Sequence, residues 1–169
     1  LVQAAAPFVA TQALLARGED MRGTLVRGID PALEPAITEL ARKLKDGPFA
    51  RLVPGEFGLV VGAELARQMG LREGDAVTLI APGGQVTPAG VVPRLKQMTV
   101  VGVFDAGHYE FDSGLVMMHI EDAQRLFRLE GPTGVRLRLS DLHRAPEVAA
   151  QLASAMGEGV VVRDWTKQN

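Results

Sequence analysis

The chain has no cysteine. Disulfide stapling and thiolate chemistry are therefore excluded, and the redox compartment is left open. It also lacks any run of about 18 apolar residues, so no segment of it reads as a membrane-spanning helix. A large excess of one charge is missing too. The net charge of −2 provides no basic stripe, and no nucleic-acid partner is expected. No P-loop is present, no strand is followed by Gly-x-Gly-x-x-Gly, and no serine sits in a Gly-x-Ser-x-Gly elbow. No cofactor is expected from these absences. What is there suffices for a core. At 47% hydrophobic over 169 residues, the chain fits one domain, or two small subdomains sharing it. Its start at Leu1-Val2-Gln3-Ala4 has neither an initiator Met nor a basic n-region. The expectation is a domain, residues 1–169, cut from a longer protein with room elsewhere for membrane segments.

Strands and helices interleave along the chain. Phe8 to Leu15 and Gly23 to Arg27 read as extended, with Gly18-Glu19-Asp20 as the turn between them. Ala36 to Lys45 is predicted helical, because Ile37, Leu40, Ala41 and Leu44 share one face. Gly58 to Gly62 is a short apolar strand, followed by a two-turn helix from Ala63 to Met69. Gly70 suits the left-handed position after that helix. Val77, Leu79 and Ala81 alternate as one buried face of the next strand. Met98, Val100, Val103 and Phe104 form a strand interrupted by Gly102, and Leu115 to Met118 leads into a helix from Ile120 to Phe127. Val135, Leu137 and Leu139 alternate with Arg136 and Arg138, which places the arginines on an outer face. A helix from Pro146 to Met156, with Gly157 past its end, and a strand from Val160 to Val162 close the chain. Several strand-to-strand steps make the fold class α+β.

One segment departs from this compact grammar. Between the strands Asp75–Ile80 and Leu95–Phe104 lie residues 81–94, against a usual connection of about two to five residues. They hold three prolines and three glycines, and no residue between Pro82 and Pro93 is charged. A loop carrying Val86, Val91 and Val92 without charge is either buried by its own domain or kept apolar to grip a partner. The plain alternative is a surface excursion without order. As a hairpin arm, its prolines at 82, 88 and 93 would lower the entropy lost when a partner holds it. Arg94 and Lys96 sit at its base, suited to steer an acidic partner.

Other polar residues read as structural. Asp105, His108, Glu110 and Asp112 form a polar loop between two strands. Read as an enzyme, His108 would be a general base oriented by Asp105 or Asp112. His119 sits at a strand-helix junction and His143 in a loop. None of the three histidines has a partner at metal-ligand spacing, so no metal site is expected. Glu34, Glu39, Glu56, Glu64 and Glu73 read as solvated, and Met117 and Met118 as core.

The stretch Phe57-Gly58-Leu59-Val60-Val61-Gly62-Ala63-Glu64-Leu65-Ala66, then Met69-Gly70-Leu71-Arg72-Glu73-Gly74-Asp75, resembles the core of the LolC/LolE family. These are membrane subunits of the ABC transporter that releases lipoproteins from the bacterial inner membrane. Thr87-Pro88-Ala89-Gly90-Val91-Val92-Pro93 with Val100-Val101-Gly102-Val103-Phe104 resembles the LolC-type arm and its return strand. Ile120-Glu121-Asp122-Ala123-Gln124-Arg125-Leu126 and Asp164-Trp165 are similar to the same family. The resemblance implies a MacB-like periplasmic core domain of two subdomains, inserted between transmembrane helices, with a protruding β-hairpin hook. It implies that the hook, Pro82 to Pro93, recruits the lipoprotein chaperone LolA, through Pro82, Val86, Thr87, Pro88, Ala89, Gly90, Val91, Val92 and Pro93. A basic patch at Arg94 and Lys96 would assist. Ala89 stands where a larger apolar tip residue is common, and Thr78 and Leu95 where polar or basic patch residues are. The implied assembly contains a LolE-type permease, the cytoplasmic ATPase LolD and lipoprotein cargo, and the domain itself is not an enzyme. The strand-helix grammar alone is shared with MacB/FtsX-like permeases for efflux or cell-wall hydrolase regulation, which is the alternative.

Overall fold

A computed structural model describes residues 2–156 and 161–163. Two long strands open the chain, β1 (Val2–Arg17) and β2 (Asp20–Ile29), joined by a tight turn at Gly18 and Glu19. β1 begins earlier than its apolar run implies, because Val2–Phe8 finds a second partner late in the chain. A 3-10 turn over Glu34–Ala36 precedes α1 (Glu39–Leu44). The helix predicted from residue 36 starts later because Thr38 is extended, and its hydroxyl accepts the Ala41 N–H at 3.2 Å. An N-cap of this kind fixes a helix start.

After a turn at Pro48–Arg51 come β3 (Gly58–Gly62), α2 (Ala63–Met69) and β4 (Ala76–Ile80). Gly70 is left-handed at φ 67°, and the Leu71 N–H reaches back to the Ala66 carbonyl at 2.8 Å, as the sequence indicates. A small separate hairpin, β5 (Gln85–Thr87) and β6 (Gly90–Val92), follows. Then come β7 (Leu95–Phe104), α3 (Tyr109–Gly114), β8 (Leu115–His119), α4 (Ile120–Leu126), β9 (Gly134–Leu139) and α5 (Ala145–Met156). β7 runs unbroken through Gly102. The irregularity is a bulge, since Leu59 and Val60 face Val100 and Gly102 and leave Val101 unpaired. Of the predicted last strand, Val161 and Val162 carry no regular structure. Val160, with Gly157, Asp164 and Trp165, lies outside the described residues.

The strand order is β2-β8-β3-β7-β4-β1-β9, and β1 also pairs with β2. That extra pairing closes six strands into a ring, with β9 appended to β1. Closure leaves no free edge on the six. α2 and α4 pack with the ring in a first core built on Leu15, Val26, Leu59, Leu65, Leu79, Met98 and Met118. A second core lies on the other side of the strands, where Phe49, Leu52 and Ala41 cover Ile29, Val60, Phe104 and Met117. Met117 and Met118 are thus core, one on each side.

Two charged groups sit where alternation does not place them. Glu34 is buried, not solvated. Arg136 is turned inward over the Phe8 ring at 5.4 Å, and Arg27 stacks on the same ring at 5.7 Å. Val135, Leu137 and Arg138 are the exposed residues of β9. Arg138 reaches the Ala36 carbonyl at 3.3 Å. Arg136 is turned inward because it meets the Glu34 turn, whereas Arg138 is exposed, as the sequence indicates. Burial pushes the Glu34 carboxyl above its usual value, against the opposing pull of Arg136 and Arg27. Glu39, Glu56 and Glu73 are exposed, and Glu64 is half-buried and paired with Arg67.

Candidate functional site

The hook stands off the ring as its own two-stranded sheet. Gln85 faces Val92, Val86 faces Val91 and Thr87 faces Gly90. The two-residue tip is Pro88-Ala89. Pro88 fixes φ near about −65° and so excludes the primed turns that usually join such strands. The adjustment falls on Gly90, whose φ is +117°. The Thr87 hydroxyl donates to the Gly90 carbonyl at 2.7 Å and closes the tip. Residues 85–92 thus pair as a hairpin, the arm form of the two readings of residues 81–94.

The arm does not fold back on its own domain. Val86 is 82% exposed and Val91 65%. Val92 is also exposed, as are Pro82, Pro88, Ala89, Gly90 and Pro93, while Thr87 is half-buried. Covering the three valines completely would contribute roughly 1.5–3 kcal/mol each. Association itself costs about 4–15 kcal/mol. The hook can therefore anchor a partner, but the valines alone leave little surplus.

At the base, Arg94 and Lys96 behave differently. The Lys96 ammonium lies over the Phe57 ring, 4.5 Å from its centroid. Arg94 is half-buried, and its Nε has no hydrogen-bond partner. Phe57 is held in place by a residue that the sequence reading passed over. Asp122, fully buried in the first turn of α4, accepts the Gly55 N–H at 2.7 Å and the Phe57 N–H at 3.0 Å. An acid at the start of a helix is a common sequence feature, and nothing in the spacing ties it to a loop 65 residues earlier.

The polar cluster after Phe104 is scaffolding. Residues expected as loop form α3, and Asp112 is buried and accepts the Ala106 and Gly107 N–H groups at 2.7 and 3.1 Å. The Asp105 carboxylate also takes the Gly107 N–H, at 3.0 Å. His108 is exposed, with its ring edge-on to Phe111 at 5.9 Å. Neither carboxylate orients it, so the arrangement is not a base-and-orienter pair. His119 caps α4, its Nδ1 accepting the Glu121 N–H at 3.1 Å. His143 is exposed in a 3-10 turn. Among the described residues no group of three His, Asp or Glu side chains comes together to hold a metal. Among them, too, no helix is long and apolar enough to cross a membrane.

The family model for the MacB-like periplasmic core domain matches residues 2–155. The lipoprotein-releasing system transmembrane protein LolC of Neisseria meningitidis serogroup B is 48% identical over 99% of this chain, which covers 41% of that protein. LolC of Xylella fastidiosa is 42% identical over 99% of the chain and 40% of its own length. LolE of Haemophilus influenzae is similar at 19% identity, over 97% of the chain and 39% of its length. The chain thus spans about two fifths of the length of these relatives. Among solved structures, the extracellular domain of the noncanonic ABC-type transporter YknZ from Gram-positive bacteria shares the fold. Its TM-score is 0.58 at 11% identity, covering 96% of this chain and 82% of that one.

Proposed function

From the premise that this chain belongs to the MacB-like periplasmic core domain family, we propose that it is the periplasmic domain of a LolC-type permease in a lipoprotein-releasing ABC transporter. It stands on the periplasmic side of the bacterial inner membrane, between transmembrane helices of the longer protein. The hook, Pro82 to Pro93, docks the lipoprotein chaperone LolA. Val86, Val91 and Val92 pack against an apolar surface of the chaperone. Pro88, Ala89 and Gly90 form the tip, and Thr87, Pro82 and Pro93 keep the arm stiff. Arg94 and Lys96 orient the partner at the base, with contributions of about 0.2–1 kcal/mol each.

The chemistry is transfer, not catalysis. ATP hydrolysis belongs to a separate cytoplasmic subunit, LolD, and a LolE-type permease completes the membrane part. Their cycle drives hand-over of outer-membrane lipoproteins to a chaperone held by the hook. Relatives carrying the lipoprotein-releasing name support the transporter assignment. The observation that carries the docking role is an ordered, uncharged arm whose Val86 is 82% exposed. Val86 and Val91, paired and both exposed on this arm, make the kind of grouped apolar surface that marks an interaction site.

The test is calorimetric titration of the chain with the LolA of the same organism, beside a form lacking residues 84–91 and beside Pro88→Asp. Binding by the parent and none by either variant, at unchanged melting temperature, is expected. Equal affinity in all three would overturn the hook assignment.

A further inference from the structure

Three arginines gather around the short turn at Glu34. Arg27 comes from β2, and Arg136 and Arg138 from β9, the strands that flank β1 at Phe8. The guanidinium carbons of Arg27 and Arg136 lie 5.7 and 5.4 Å from the centre of the same Phe8 ring. Arg138 donates to the Ala36 carbonyl, at the end of the turn that Glu34 begins.

The plain reading makes Arg27 and Arg136 a cover for Phe8, but it leaves their polar atoms unexplained. A guanidinium carries five N–H donors. Among the described residues, Arg27 and Arg136 donate to no protein acceptor, and the Arg27 Nε is buried without a partner. Glu34 does not neutralise them. It is 4% exposed, its Oε2 has no partner, and burial pushes its carboxyl above the usual value. Asp30, the other acid near Glu34, accepts the Ala32 N–H at 2.9 Å. Burial and the nearness of Arg136 both disfavour the charge on Arg27. Buried polar atoms normally have partners. Orphan atoms on both sides of this cluster fit a ligand that accepts from the arginines and also from Glu34 in its acid form.

We infer that Arg27, Arg136 and Arg138 form a binding site for a phosphate group, free or carried on a lipid headgroup. A guanidinium fork matches an oxyanion with two parallel bonds. One fork fills a planar carboxylate. A tetrahedral phosphate has oxygens in more than one plane, and it can accept from arginines that arrive from both sides of β1. Its charge favours the acid form of Glu34, which then donates to it. The cluster meets solvent, since Arg27 and Arg136 are half-buried and Arg138 is exposed. It is separate from the hook: Phe8 stands six residues before Leu14, the partner of the last residue of β4, or about 20 Å along the strand. The inference goes beyond the chaperone-docking reading and does not depend on it.

The experiment follows the arginine Nε–H signals of the chain by two-dimensional NMR during titration with inorganic phosphate, against sodium chloride at matched ionic strength. A second arm measures co-sedimentation with vesicles of phosphatidylcholine, with and without phosphatidylglycerol. Arg27→Gln, Arg136→Gln and Arg138→Gln accompany the parent, each with a melting curve. Arg138→Gln changes an exposed side chain and keeps the test decisive if the other two variants fail to fold. Saturable phosphate shifts at Arg27 and Arg136, weakened about tenfold or more in Arg136→Gln and several-fold in Arg138→Gln, assign the site to free phosphate. Sedimentation that needs phosphatidylglycerol and falls in the same variants, without saturable phosphate shifts, assigns it to a lipid headgroup. Shifts that phosphate and chloride cause alike, with no vesicle binding that the variants reduce, would overturn the site. So would binding that every folded variant retains. A form lacking residues 84–91 should bind as the parent does, so the site and the hook reading stand or fall separately; binding lost on that deletion would place the contact at the hook and overturn the inference.

Discussion

Asp122→Ala should be among the most damaging single changes in this fold. The Asp122 carboxylate is fully buried, and it accepts two backbone N–H groups, from Gly55 at 2.7 Å and Phe57 at 3.0 Å. Together they clamp the approach to β3, where Phe57 has a positive φ of 52°. A hydrogen bond to a charged group contributes about 1.5–3 kcal/mol net, so losing both costs roughly 3–6 kcal/mol. Against a total stability of about 5–15 kcal/mol, that is a large share. At about 2–4 °C per kcal/mol for a chain of this length, the melting temperature should fall by roughly 6–24 °C. Asp122→Asn keeps one acceptor oxygen and should fall between parent and Ala. The consequence extends to the hook's base, because Phe57 carries the Lys96 ammonium above its ring. Calorimetric melting at neutral pH is the assay. An Ala variant that melts within about 2 °C of the parent would refute the clamp.

Gly62→Ala should destabilise strongly, since a Cβ there would stand 2.4 Å from the Asp112 carbonyl oxygen, a backbone atom that cannot step aside; chemical denaturation reads it, and a neutral result would contradict the close packing of β3 on α3. Glu34→Gln should raise stability at neutral pH. The folded Glu34 carboxyl titrates above its ordinary 4.5, mainly because of burial, so its ionised form is disfavoured in the fold. The advantage of Gln should shrink as pH falls through that raised value, and vanish below the unfolded value, where Glu34 is protonated in both states. A gain that grows toward acid pH would contradict this sign. Lys96→Ala should cost less than about 1 kcal/mol in denaturant unfolding, as expected for an exposed cation over an aromatic ring; a loss several times larger would mean that Lys96 holds more than the Phe57 face.

Local grammar was legible where one residue type decides the backbone. Gly70 ends α2 in the left-handed region, and the alternation of Val77, Leu79 and Ala81 gives the buried face of β4. The arm was legible because proline, glycine and uncharged valines stand together where a short turn would serve. What escaped reading was set by distant parts of the chain. Arg136 alternates with apolar residues as an outer-face arginine should, yet it turns inward because Phe8 and the turn at Glu34 lie beneath it. Glu34 was misread for the same reason. The clamp by Asp122 joins residues 65 positions apart, and the closure of the ring by β1 and β2 is a pairing between sheet ends that no local pattern encodes. Register likewise sets Leu95 and Lys96 on opposite faces of β7.

The central claim is that the hook itself touches the chaperone. The most direct measurement is photo-crosslinking with a benzophenone side chain placed at Val86, the most exposed hook valine, and as a control at Val53, which is exposed on the connection before β3. With purified LolA of the same organism, the account predicts an adduct of one chain and one chaperone from position 86 and none from position 53. No adduct from position 86, or equal adducts from both positions, would contradict it.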